Sequence, residues 1–147
     1  MKYQQYKFKF YLNLRHAVCM NDCFGETHPH TWEITVYIAK VRTGFVRFDE
    51  VEREIESYMD RFQGVNLNEV DPFDKINPTL ENCANYFRER IQEILNESGW
   101  ILLMMEMSET PSRAYVLSMV DENDIGANQT INTLTDMILN QIQESEV

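Results

Sequence analysis

Apolar and polar side chains alternate along the first part of the chain. Tyr6, Phe8 and Phe10 are followed in the same phase by Leu12 and Leu14. A period of two residues places these side chains on one face of a half-buried strand, which we predict over residues 3–18. Residues 31–39 alternate in a similar way and predict a second strand. The intervening residues, 19–29, are rich in Asn, Asp, Gly, Thr and Pro and predict a loop.

The middle of the chain changes to the spacing of a helix. Residues 49–62 carry apolar side chains on one helical stripe and acidic residues in the first turn, which predicts a helix packed on a sheet. Thr79 can cap a second helix that runs to about Glu97. Residues 100–109 and 114–120 then predict a strand pair joined by a turn. The predicted order ββααββ is typical of an α+β fold.

The C-terminal part of the chain predicts an addition to this domain. Residues 121–127 are polar and predict a linker, and residues 128–144 place isoleucine and leucine at helical spacing. We therefore expect one domain over residues 1–120, followed by a linker and a helical extension over residues 121–147.

Composition narrows the range of partners and compartments. The 147 residues carry 24 acidic and 13 basic side chains, a formal net charge of −11, so a nucleic acid or an anionic membrane would be repelled. No apolar run is long enough to cross a bilayer. The 3 cysteines are an odd set without a disulfide framework, and no secretory apolar region opens the chain. These features predict a cytoplasmic protein.

The 3 histidines of the chain, His16, His28 and His30, are confined to one short segment. If the residues from Thr27 onwards form a strand, His28 and His30 project from the same face, and His16 comes from the neighbouring strand. Three imidazoles with an open fourth position are a common way to hold a catalytic zinc ion. We therefore predict a zinc site, with a solvated polar strand face as the alternative.

Further motifs resemble those of the 6-pyruvoyltetrahydropterin synthase and 6-carboxytetrahydropterin synthase family. His16 and the segment His28-Pro29-His30 match the zinc ligands of that family in order and spacing, with Pro29 in place of a glycine. Cys23 matches the position of the catalytic cysteine. Residues 44–48, 66–68 and 77–82 resemble its G-x-V-x-D-F, L-N and P-T-x-E-N motifs. Glu109 is similar to the glutamate that anchors the pterin ring.

The resemblance implies a fold, a reaction and an assembly. The fold is the tunnelling fold, a four-stranded antiparallel sheet with two helices on one face, assembled as a homo-oligomer (a trimer or hexamer) with sites between subunits. The implied activity is that of a zinc-dependent carbon–oxygen lyase acting on a dihydropterin by triphosphate elimination or side-chain cleavage. Cys23 is then the catalytic base, and Glu109, Thr79 and Glu81 bind the pterin-like ligand. On this basis Glu109→Ala is expected to abolish pterin binding and leave the zinc in place.

One element of the family is missing. Its enzymes carry an Asp-His pair before the L-N motif, and Gln63-Gly64 occupies that position here, in a chain without a fourth histidine. Loss of a general acid or base typically costs roughly 10²- to 10⁴-fold in rate. The chain is therefore either a slow or altered lyase, or a non-catalytic relative that binds a pterin or another planar ligand. A third alternative makes Cys23 the fourth ligand of a structural zinc.

Overall fold

A computed structural model describes residues 4–41 and 46–119, together with Leu139. In order along the chain, its elements are β1 (Gln5–His16), β2 (Cys19–Met20), β3 (Cys23–Phe24), β4 (His28–Lys40), α1 (Phe48–Met59), α2 (Leu80–Glu97), β5 (Trp100–Thr110) and β6 (Arg113–Ser118). Two single 3₁₀ turns, Asp60–Phe62 and Leu67–Glu69, lie between the helices.

The four long strands form one antiparallel sheet in the order β1-β4-β5-β6. β4 pairs with β1 from Gln5↔Ala39 to His16↔His28, and with β5 on its other side. Both helices pack on the same face of this sheet, with α2 against β5. The predicted α+β fold, with a four-stranded antiparallel sheet and two helices on one face, is confirmed.

The alternation seen in the sequence produces the core. Residues of β1 are buried at alternate positions from Phe8 to His16, and the residues between them are exposed. Complete burial of one such apolar side chain contributes about 1.5–3 kcal/mol. The core-facing side chains include Phe8, Phe10, Leu12, Leu14, Trp32, Ile34, Val36 and Ile38 from the sheet and Val51, Ile55, Met59, Cys83, Ala84, Phe87, Ile91 and Leu95 from the helices.

The predicted loop over residues 19–29 is partly wrong. Cys19 pairs with Phe24 and Met20 with Cys23, so β2 and β3 form a small hairpin. Its two turn residues, Asn21 and Asp22, have φ angles of 52° and 63°. Asn and Asp tolerate this left-handed conformation, which suits a tight two-residue hairpin turn. β4 also begins earlier than residue 31, at His28, so both histidines of the H-x-H pair belong to a strand.

The second helix begins where its sequence signal placed it. The Thr79 hydroxyl accepts a hydrogen bond from the Asn82 amide nitrogen at 3.1 Å, so Thr79 is the N-cap of α2. Beneath the helices, the rings of Phe62, Phe73 and Phe87 form an edge-to-face cluster, with centroids 5.1 Å apart for Phe62 and Phe87. The predicted C-terminal helix lies outside the described residues, apart from Leu139. None of the described helices is long and apolar enough to span a membrane.

Candidate metal site and adjoining cavity

Three imidazoles meet at one end of the sheet. His16 is the last residue of β1, while His28 and His30 are the first and third residues of β4. The register pairs His16 with His28 and Leu14 with His30, which puts all three side chains on the core face. One nitrogen from each ring can be chosen so that the three atoms lie within 4.8 Å of one another. Among the described residues, the structure thus brings the three predicted metal ligands together.

Backbone carbonyls fix the orientation of two of these rings. His16 Nδ1 lies 2.8 Å from the Pro78 carbonyl oxygen, and His28 Nδ1 lies 3.0 Å from that of Glu26. Because a carbonyl oxygen can only accept, Nδ1 is the donor in each ring, and in the neutral form of the ring the lone pair is then on Nε2. Hydrogen bonding at one ring nitrogen is the usual way in which a protein presents the other to a metal.

His16 has a polar atom that the protein alone leaves without a partner. The residue is 1 % exposed, and its Nε2 is buried without a hydrogen bond. Burial, followed by the nearby His28 and His30, lowers the pKa of His16 against the opposing effects of the Pro78 hydrogen bond and Glu109. The ring is therefore kept in its neutral, electron-donating form. An orphaned imidazole nitrogen facing two other imidazoles fits a transition-metal ion such as zinc.

Glu109 lies beside this cluster, on the core face of β5. Its Oε1 atom is 3.8 Å from His16 Nε2 and 3.8 Å from His30 Nε2, and its side chain is only 20 % exposed. These separations exceed those of N–H···O hydrogen bonds, so the carboxylate is close to both imidazoles without being satisfied by either.

A cavity of about 450 Å³ opens next to the imidazoles and has the size of a small-molecule site. It brings together residues that are distant in sequence and that were predicted to bind a ligand. Its lining includes His16, His28, Thr79, Glu81 and Glu109, with Arg113 and Tyr115 from β6.

Tyr115 was not singled out in the sequence, and Arg113 was only one of several arginines that could meet an anionic substrate in a confined site. The turn predicted between residues 109 and 114 was the sequence signal that brings Arg113 close to Glu109. In the structure Arg113 pairs with Thr110, the residue after Glu109. The Pro78 carbonyl had no such signal, since a backbone group carries no sequence signature.

Cys23 stands apart from this constellation. It is exposed on the β2-β3 hairpin, and its sulfur lies 3.8 Å from the carbonyl oxygen of its neighbour Phe24. Cys23 belongs neither to the group of potential metal ligands nor to the lining of the cavity among the described residues. Cys83 lies on the apolar stripe of α2 and is fully buried.

Two asparagines hold the segment that follows His16. The Asn68 side chain accepts a hydrogen bond from the Ala17 nitrogen at 2.8 Å and donates one to the Ala17 oxygen at 2.9 Å. Asn77 makes the same pair with Cys19, at 2.9 Å in each direction. Each side-chain amide thus bonds both backbone groups of one residue, as a paired strand would. The L-N and N-P-T motifs therefore supply backbone clamps next to the site.

Gln63-Gly64, where the family has its Asp-His pair, also binds backbone. Gln63 donates through Nε2 to the Tyr11 oxygen at 2.8 Å and accepts through Oε1 from the Asn13 nitrogen at 3.0 Å. The Gly64 nitrogen donates to the Asn13 oxygen at 2.7 Å, with a φ angle of 71° at Gly64. These residues cover the outer edge of β1 and have no described contact with the imidazoles.

The fold and the site together define a class of protein, in which an antiparallel sheet presents a histidine cluster beside a ligand-sized cavity. The sequence matches the 6-pyruvoyl tetrahydropterin synthase family over residues 5–119. That match covers most of the chain, and the protein belongs to this family. The resemblance inferred from its motifs is therefore confirmed.

Solved structures agree with the family match. The 6-pyruvoyl tetrahydropterin synthase of Caenorhabditis elegans superposes with a TM-score of 0.67 at 20% identity, covering 80% of this chain and 96% of that one. An uncharacterized protein of Wolinella succinogenes gives a TM-score of 0.62 at 13% identity, with coverages of 81% and 99%. The Plasmodium falciparum enzyme gives 0.56 at 12% identity, with 77% and 96%. At these identities the likeness establishes the tunnelling fold. A comparison with curated proteins gives no significant match.

Proposed function

We propose that this protein holds a zinc ion through His16, His28 and His30 and uses the adjoining cavity to bind a dihydropterin. The observation that carries the proposal is the convergence of three imidazoles, one of which has a buried nitrogen without a partner and two of which, His16 and His28, line a cavity of ligand size. A bound zinc ion would supply Lewis-acid polarisation of a hydroxyl or carbonyl oxygen on the ligand's side chain. In this reading the protein is a slow or altered carbon–oxygen lyase of pterin metabolism.

The residues around the cavity are assigned to ring binding. A carboxylate such as Glu109 can accept two parallel hydrogen bonds from the amino group and the ring N–H of a pterin. Thr79 and Glu81 also line the cavity, at the start of α2. The Thr79 hydroxyl oxygen already accepts the capping hydrogen bond of α2. We therefore propose that Thr79 shapes the cavity wall and can donate its O–H to the ligand.

Cys23 is assigned as the base by its position in the family motif. The hairpin exposes its sulfur, so a ligand can reach it, yet no histidine is available to pass on the proton. A non-catalytic pterin-binding protein with the same metal site is therefore the second candidate. Glu26 lies on the same segment, three residues after Cys23, and its carboxylate is a second group able to accept a proton there. Glu26→Gln is accordingly a useful companion to Cys23→Ser.

We also propose that the protein is a homo-oligomer, a trimer or hexamer, with its sites between subunits. Support comes from the sheet itself, whose outer strand β6 offers a strand edge for pairing with another subunit. The mass of the particle in solution tests this assignment.

The decisive experiment measures metal and product on one preparation. Untagged protein is expected to retain about one zinc per chain by elemental analysis, and His28→Ala is expected to lose it. Thr31→Ala is the matched control, because Thr31 lies on the same strand but on the opposite, exposed face. A wild-type protein that neither retains nor takes up zinc would overturn the proposal.

Incubation with 7,8-dihydroneopterin triphosphate then separates the two candidate functions. A pyruvoyl, carboxy or side-chain-cleaved product that depends on His28 supports the lyase. Ligand binding without any product supports the non-catalytic protein. The third alternative, a structural zinc held by Cys23, predicts a Zn–S distance of about 2.3 Å in X-ray absorption.

A further inference from the structure

The half-buried carboxylate of Glu109 points to a further role at the metal site. Its Oε1 is equidistant, at 3.8 Å, from the Nε2 atoms of His16 and His30. In a tetrahedral zinc site with bonds of about 2.0–2.1 Å, neighbouring ligand atoms lie about 3.3 Å apart. A contraction of about half an ångström at each contact would therefore bring Oε1 to the spacing of zinc ligands from both nitrogen atoms.

The surroundings of this carboxylate favour the same interpretation. A carboxylate that is only 20 % exposed loses much of its hydration, and imidazole nitrogens 3.8 Å away are too distant to replace it. The buried His16 Nε2 is also without a partner. One divalent cation between them would satisfy both groups at once.

We propose that Glu109 is the fourth ligand of the metal in the ligand-free protein. This inference rests on the proposed zinc site and extends it. Without a ligand, Glu109 would complete the coordination of the metal. When a planar ligand with an amino group and a ring N–H binds, it would compete for the carboxylate oxygens, and Glu109 would leave one position on the metal open to the ligand's side chain. Metal coordination and ring anchoring thus become alternative uses of one carboxylate. The expectation from the family motif is different, because there the loss of Glu109 leaves zinc binding intact.

The test compares metal affinity in two single variants. Glu109→Gln replaces the carboxylate with an amide, a much poorer zinc ligand, at nearly the same volume. Glu81→Gln removes the same charge from the wall of the same cavity and is the matched control. Loss of even an outer-shell partner typically costs 10- to 100-fold in metal affinity, so we expect Glu109→Gln to weaken Zn²⁺ binding at least about tenfold. Glu81→Gln should change it less than about threefold by comparison.

Two spectroscopic measurements make the result independent of activity. Co²⁺ bound to the wild type should give the intense visible bands of a four-coordinate site, and Glu109→Gln should change those bands while Glu81→Gln preserves them. X-ray absorption of the wild-type zinc protein should fit three nitrogen ligands and one oxygen ligand from a carboxylate. Circular dichroism of each variant checks that it is folded.

The outcomes separate this inference from the proposed function. Unchanged affinity and spectrum in Glu109→Gln, with metal still lost in His28→Ala, would overturn the role of Glu109 and leave the zinc site standing. Equal weakening in both glutamine variants would reduce the effect to net charge and would also overturn it. A wild-type protein without metal would overturn both proposals.

Discussion

Asn77 is expected to stabilise the segment that follows β1, and Asn77→Ala tests how much. Its side-chain amide makes two hydrogen bonds with the backbone of Cys19, both 2.9 Å long and partly buried. A typical intramolecular hydrogen bond contributes about 1 kcal/mol net, so truncation should lower the free energy of unfolding by about 2 kcal/mol. For a domain of this size, that corresponds to a fall of about 6–8 °C in Tm.

Metal affinity should fall together with stability. Asn77 is followed by Pro78, whose carbonyl oxygen accepts the hydrogen bond from His16 Nδ1. Loosening the 77–79 segment therefore loosens the group that orients His16. Calorimetric titration with Zn²⁺ measures this effect, and urea denaturation measures the change in unfolding free energy.

Two other asparagines provide the comparison. Asn68→Ala removes the equivalent bonds to Ala17, only two residues away from Cys19, so the double variant should be non-additive by at least about 0.5 kcal/mol. Asn96 is exposed near the end of α2, and its side chain makes no described hydrogen bond, so Asn96→Ala should be close to neutral. If Asn77→Ala were as mild as Asn96→Ala, water would satisfy the Cys19 backbone and the clamp interpretation would be refuted.

Three further predictions address the site and the core. Co²⁺ bound at the imidazoles should quench the fluorescence of Trp32, because the ring centroid of Trp32 is 5.2 Å from that of His16. Trp100→Phe should therefore keep the quenching, and Trp32→Phe should lose it. Burial raises the pKa of the Cys83 thiol, so a thiol reagent should modify Cys23 in the native protein and reach Cys83 only on unfolding; early modification of Cys83 would contradict its place in the core. Phe87→Ala should lower the free energy of unfolding by about 3–5 kcal/mol in urea titration, and a loss below about 1 kcal/mol would mean that the aromatic cluster is loosely packed.

Much of the fold was predictable because its periodicity is strong. The alternation in β1 and the helical stripe with its Thr79 cap each reflect interactions between residues close in sequence. The β2-β3 hairpin was missed because Asn21 and Asp22 favour any kind of turn, and only the pairing of Cys19 with Phe24 distinguishes a hairpin from a loop. Interactions between residues close in sequence thus predicted which helices and strands form better than they predicted where each begins and ends.

The site was predictable only in part, for a related reason. His28 and His30 share a strand, and a period of two residues is enough to place them on one face. The distance of Glu109 from the imidazoles depends on how the far end of β5 lies against β1 across an intervening strand. Likewise, the position of Cys23 depends on the hairpin that carries it away from the cavity. Neither relation is encoded in any short stretch of sequence.

The missing Asp-His pair is more than the loss of two catalytic side chains. Gln63 uses both ends of its amide on the backbone of β1, and Gly64 has a left-handed φ of 71° that costs other residues roughly 1 kcal/mol or more. Restoring a histidine at position 64 would therefore strain the turn, and one at position 63 would release two hydrogen bonds at the sheet edge. Identical subunits cannot supply a histidine for the relay either, since all 3 histidines of the chain belong to the candidate metal site. Proton transfer in the proposed reaction would therefore have to use a group other than a fourth histidine, and Cys23 is the side chain that we propose for it.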